Sequence, residues 1–122
     1  MLYHSTRSKN EKIDSAQAVL NGLAADGGLY VPAQLPTLDV KACLQEDTMA
    51  MATRIIGAML PDIPDMKELV SRAYTGKFQT RELTPTVDTG KFTVLELFRG
   101  PTSAFKDVAL CMLPQLLTKA KT

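Results

Sequence analysis

Tryptophan is missing from this chain of 122 residues, histidine occurs once and cysteine twice. A single histidine excludes any two-histidine metal centre. It also makes a Ser-His-Asp arrangement depend on His4 alone, for which an exposed, unremarkable side chain is the simpler reading. Cys43 and Cys111 stand far apart with no CxxC or Cys/His spacing around them, and read as reduced, mostly buried thiols. Neither sign of charge is in excess: 14 Lys and Arg stand against 13 Asp and Glu. Without a basic block, nucleic acid and an anionic membrane surface are not expected as partners. No run approaches the roughly eighteen apolar residues that a membrane helix needs, and "MLYHSTRSKNEK" has no apolar signal core, so a cytoplasmic protein is expected. GxGxxG and GxxxxGK[ST] are both absent. Gly27-Gly28 leads into a strand rather than a helix, and reads as a turn rather than a phosphate cradle.

What is there fits a soluble globular domain: 45% hydrophobic and 22% charged residues, close to the average. "MLYHSTRS", with Leu2 and Tyr3 followed by hydroxyl residues, suggests a short opening strand or edge segment. In "DSAQAVLNGLAADGG", Asp14 or Ser15 can cap a helix whose face is Ala16, Val19, Leu20 and Leu23, with Gly27-Gly28 ending it. "LYVP" is a brief strand closed by Pro32. One or two helices are expected from Val40 to Leu60, with Met49, Ala52, Ile55, Ile56 and Met59 as a core stripe. Another follows, with Asp62 or Asp65 as cap, Leu69, Val70 and Ala73 buried, and Gly76 as stop. The pattern then changes. Asp88-Thr89-Gly90 turns between a strand near Thr84 to Val87 and a second from Phe92 to Phe98, the latter apolar enough to read as buried. A last helix is expected from Thr102 or Ser103 to Lys119, with a stripe of Phe105, Ala109, Met112, Leu113 and Leu116, kinked or broken at Pro114.

The stretch "ELFRGPTSAFKDVAL" carries the one chemically suggestive feature. A strand that turns through Gly100-Pro101 into a helix puts the first helical residues where open α/β sheets place ligands. Lys106 is expected in the first turn. There the helix N-terminus disfavours an ammonium, and Ala104, Phe105 and Val108 add desolvation. Both favour the neutral amine, which forms imines with aldehydes. A snorkelling lysine paired with Asp107 explains the same residues without chemistry.

The stretch closely resembles the lysine motif of threonine synthases, of the form ELFHGPTxAFKDxA, in which the lysine holds pyridoxal 5'-phosphate as a Schiff base. "YHSTR" and "GLAADGGLYVP" resemble the YxSTR and GLAxDGGLfvP stretches of that family, in the same order. Arg99 departs from the usual histidine. The resemblance implies a full-length enzyme that converts O-phospho-L-homoserine and water to L-threonine and phosphate. Lys106 would be its catalytic and cofactor-binding residue, Phe105 would lie near the cofactor, and Thr102 and Asp107 would support them from behind; no metal is implied. The implied fold is α+β. A mainly helical N-terminal domain with short strands covers residues 1–78, and the first strand and helix of a truncated fold type II α/β region cover residues 79–122. Relatives of this kind run to several hundred residues, so the chain is expected to be an N-terminal fragment. On that reading it is inactive by itself, without an ordered cofactor, and inclined to self-associate through the exposed face of its last strand and helix. A related phospholyase, or a non-catalytic module of the same fold, are the alternatives.

Overall fold

The computed structural model describes residues 1–121; Thr122, the end of the expected second region, lies outside them. β1 (Leu2–Ser5) is the central strand of a small antiparallel sheet, between β2 (Ile13–Asp14) and β3 (Tyr30–Pro32). Tyr3 stands opposite Ile13 on one side and Pro32 on the other. Its ring is buried, and its hydroxyl donates to the Met59 carbonyl, which fastens the sheet to the helices.

α1 (Ser15–Asn21) is capped by Asp14, whose carboxylate accepts from the Gln17 amide at 2.7 Å. The helix ends earlier than expected, at Gly22 rather than Gly27-Gly28. Gly22 adopts φ 70°, a left-handed value that glycine enters without penalty and that ends a helix. Leu23 therefore falls outside the helix and is exposed. The expected Val40 to Leu60 segment is two helices, α2 (Val40–Cys43) and α3 (Thr48–Met59), capped by Asp39 and Asp47. From α3, Met49, Ala52 and Ile56 pack against the core, whereas Ile55 is exposed.

α4 (Met66–Tyr74) is the centre of the molecule. Val70 is 1% exposed and Ala73 is fully buried. Asp65 occupies its cap position in a left-handed conformation without a side-chain capping bond, and its carboxylate pairs with Lys119 at 2.8 Å instead. Asp62 is employed elsewhere: its carboxylate accepts from the Ser15 hydroxyl at 2.6 Å and amide at 3.1 Å, and from the Met1 amino group at 2.9 Å.

α5 (Asp107–Ala120) packs chiefly on α4 and also on α1. Its Met112 and Leu116 share one cluster with Ile63, Leu69, Val70, Tyr74 and Leu83. The Tyr74 hydroxyl donates to the Val108 carbonyl at 2.9 Å. Three expectations about this helix are corrected. It starts at Asp107, not near Thr102, because the preceding residues form turns and Ser103 has φ 56°, which no right-handed helix admits. Pro114 does not break it: Pro114 and Leu110 lie on the exposed side, where the Leu110 carbonyl left without a donor can be hydrated. The buried stripe is Asp107, Met112 and Leu116, while Phe105, Ala109 and Leu113 are exposed.

β4 (Thr86–Asp88) and β5 (Thr93–Leu95) form a separate antiparallel hairpin around the expected Asp88-Thr89-Gly90 turn. Burial of the second strand is also corrected. Every residue of both strands is exposed, and Phe92 is 72% exposed. The apolar character of "FTVLELF" thus belongs to a surface of this chain rather than to its core.

Candidate functional site

The turn that leads into α5 is built by a buried carboxylate. Asp107 is 2% exposed. Its Oδ2 accepts from the Thr102 amide at 2.7 Å and its Oδ1 from the Thr102 hydroxyl at 2.5 Å. Those bonds, the hydroxyl's first, hold its carboxyl below the ordinary carboxylate range. Gly100 makes the approach possible: a Cβ there would lie 2.5 Å from both Cβ and Oδ2 of Asp107. Two backbone bonds close the turn, Ser103 N to Gly100 O at 3.1 Å and Asp107 N to Ala104 O at 3.0 Å.

Lys106 stands at the cap position of α5, one residue before the first helical one, with φ −68° and ψ −11°. Its carbonyl starts the helix by accepting from the amides of Ala109 and Leu110 at 3.0 and 2.8 Å. Its side chain is exposed, and no hydrogen bond or ion pair of its amine occurs among the described residues. The apolar enclosure expected from Ala104, Phe105 and Val108 is not formed within this chain, since Phe105 is itself exposed. Lys106 and Phe105 are thus side by side on the surface, with the Thr102–Asp107 pair behind them.

Arg99 is already engaged. Its guanidinium binds Glu96 with Nε–Oε2 at 2.7 Å, reaches Gln79 Oε1 at 3.1 Å and lies 5.1 Å from the Phe98 ring centre. Its carbonyl accepts from the Gln79 amide at 2.9 Å. Arg99 therefore ties the lysine turn back to the segment after α4. His4 is half-buried, with Nδ1 2.8 Å from the Ser5 carbonyl. Cys43 and Cys111 are free thiols, buried and half-buried.

The two N-terminal motifs prove to be one structure. The Ser5 hydroxyl donates to Asp26 Oδ1 at 2.7 Å and accepts from the Arg7 amide at 3.1 Å, while the Gly28 amide donates to the same Asp26 oxygen at 2.9 Å. Arg7 Nη1 donates to the Asp26 carbonyl at 3.0 Å, and Thr6 pairs with Leu29 through backbone and side chain. A Cβ on Gly28 would come within 2.1 Å of Ser5 Oγ. The sequence shows both motifs but not that they meet; polar side chains in one facing a glycine pair in the other are the available signal.

The family model described as "Threonine synthase N terminus" matches residues 2–74. The chain belongs to the threonine synthase N-terminal family. The threonine synthase of Saccharomyces cerevisiae is 40% identical over 124 residues, covering 89% of this chain and 24% of the relative. "Threonine synthase-like 2" of Pongo abelii is 34% identical, covering 96% of this chain and 26% of the relative. Among solved structures, the pyridoxal-phosphate-bound threonine synthase of Brucella melitensis superposes with a TM-score of 0.88 at 35% identity, over 98% of this chain and 27% of that one. This threonine synthase N-terminal region therefore spans about a quarter of the length of the relatives it matches. The mixed helix-and-strand architecture expected of the family is the one observed.

Proposed function

We propose that this chain is the N-terminal part of a threonine synthase whose full-length form converts O-phospho-L-homoserine and water to L-threonine and phosphate, with Lys106 as the residue that carries pyridoxal 5'-phosphate. The observation that carries the reading is an exposed lysine amine, with no hydrogen bond or ion pair among the described residues, at the head of a braced helix. An amine without an ion pair is free to bond an aldehyde, so the residues present fit the covalent end of that cofactor. The bound cofactor supplies the sink for electrons released at the substrate carbons.

Lys106 Nζ would hold the cofactor, give way to the substrate amine, and then accept and return protons along the substrate carbon chain. Phe105, next to it and exposed, offers an aromatic face toward the same space. Thr102 and Asp107 act behind the lysine and touch neither reactant. The partner of the cofactor phosphate and the remainder of the α/β region of fold type II would be supplied by the rest of the full-length chain. The isolated 122 residues are then inactive, and their apolar hairpin favours self-association.

Full-length protein loaded with pyridoxal phosphate, reduced with borohydride and digested should yield one cofactor-labelled peptide containing Lys106. The label should vanish in Lys106→Ala together with threonine formation. A label that stays in the variant at the same yield rules out Lys106, and turnover by the isolated chain rules out its incompleteness.

A further inference from the structure

We propose that Asp107 is a positioning residue: by gripping Thr102 through both carboxylate oxygens it fixes the turn Gly100 to Lys106, and with it the point from which the lysine amine works. This rests on the reading of Lys106 given above. An acidic residue at a helix start ordinarily serves its own helix, accepting from the free amides of the first turn or complementing the dipole. Asp107 instead reaches backward, out of α5, to both donors of a residue five positions earlier, at 2.7 and 2.5 Å. The chain makes room for that reach, since any side chain at Gly100 would meet the carboxylate at 2.5 Å.

The turn needs such a restraint. Ser103 sits at φ 56°, a conformation costly for a residue with a Cβ, which persists only where the surroundings impose it. The side chains of Phe105 and Lys106 are exposed rather than held in the core. The backbone that carries the lysine is pinned just beyond Lys106: Asp107 is tied to Thr102, and the Val108 carbonyl to the Tyr74 hydroxyl of α4. An amine that must attach a cofactor and then move protons over neighbouring carbons depends on such a fixed pivot, because misplacement by an ångström costs about a hundredfold in rate.

Two readouts on the full-length protein test this. Amide hydrogen exchange at Ser103 and Asp107, measured without cofactor, reports the turn. The rate at which borohydride-trapped cofactor accumulates on Lys106 reports the lysine. Thr102→Val and Asp107→Asn should each speed exchange at those amides about tenfold and lower the trapping rate by a similar factor, leaving the α4 amides unchanged. Gly100→Ala should do the same without removing either polar partner, so it keeps the test alive if Asp107→Asn does not fold. Thr102→Ser, which retains the hydroxyl, should recover most of what Thr102→Val loses. Folded variants in which neither readout moves, or in which the turn loosens while trapping stays at its original rate, overturn the inference. Absence of label on Lys106 in the unsubstituted protein instead removes the lysine reading, and this inference with it.

Discussion

Gly28→Ala tests how the two N-terminal motifs depend on each other. The φ of Gly28 is not left-handed, so alanine suits the backbone and the entire cost falls on space. The new methyl would lie 2.1 Å from Ser5 Oγ and 3.0 Å from Asp26 Oδ1 and Thr6 Oγ1. Ser5 is buried, and its hydroxyl must retreat by more than an ångström, giving up the bond it accepts from Arg7 N. Overpacking costs about 1–3 kcal/mol, and the lost hydrogen bond about 1 kcal/mol more. Reduced freedom of the unfolded chain returns about 0.4–1 kcal/mol. A net destabilisation of about 1–3.6 kcal/mol is expected in urea unfolding followed by circular dichroism. The cause is checked by a double-mutant cycle: with Ser5→Ala in place, Gly28→Ala should cost less than half as much. Gly22→Ala is the control. It has φ 70° and no heavy atom within 4 Å, so its cost of about 1 kcal/mol is backbone strain alone and should ignore Ser5. Unchanged stability of Gly28→Ala, or an equal cost in both backgrounds, would refute the reasoning.

Tyr74→Phe removes the donor to the Val108 carbonyl and should cost about 1 kcal/mol, with faster hydrogen exchange in the first turn of α5. Asp62 has its carboxyl pushed down to about 2 by the Ser15 hydroxyl and then by the Met1 amino group. Its folded value lies below the unfolded one, so its stabilisation is complete above the ordinary carboxylate range and is lost as pH falls from about 4 toward 2. Urea midpoints at pH 7 and pH 3 should therefore differ less in Ser15→Ala than in the unsubstituted protein; an identical difference would sink this assignment. Pro114→Ala gives Leu110 its missing donor and should stabilise the chain by about 2–2.6 kcal/mol, the proline penalty of about 3 kcal/mol in a helix interior less the unfolded-state gain of about 0.4–1 kcal/mol. A loss of stability would mean that Pro114 is packed rather than merely tolerated.

Local chemistry was legible in the sequence wherever it acts over a few residues. The capping by Asp14, the Asp88-Thr89-Gly90 turn and the burial of Leu69, Val70 and Ala73 all follow from neighbours along the chain. What was not legible depends on partners far away. Asp62 looks like a helix cap until Ser15 and Met1 are seen to claim it. "FTVLELF" is apolar for a reason that the described residues do not contain, since its strand is exposed. At the site, residue type and context point to Lys106, but not to its place ahead of the helix: α5 begins at Asp107 rather than near Thr102, because the left-handed Ser103 cannot be read from a serine. From the sequence, Thr102 and Asp107 read only as support from behind the lysine; the bond between them and the need for Gly100 are properties of the folded turn.

The joint between α4 and α5 also bears on how such a protein can be recombined. The helix headed by the lysine takes its only large buried side chains, Met112 and Leu116, into the cluster organised by α4. A crossover between relatives placed after residue 78 would part these surfaces while keeping every motif intact. Libraries of chimaeras should therefore recover folded progeny most often when the crossover falls beyond Ala120, so that α4 and α5 are inherited from one parent.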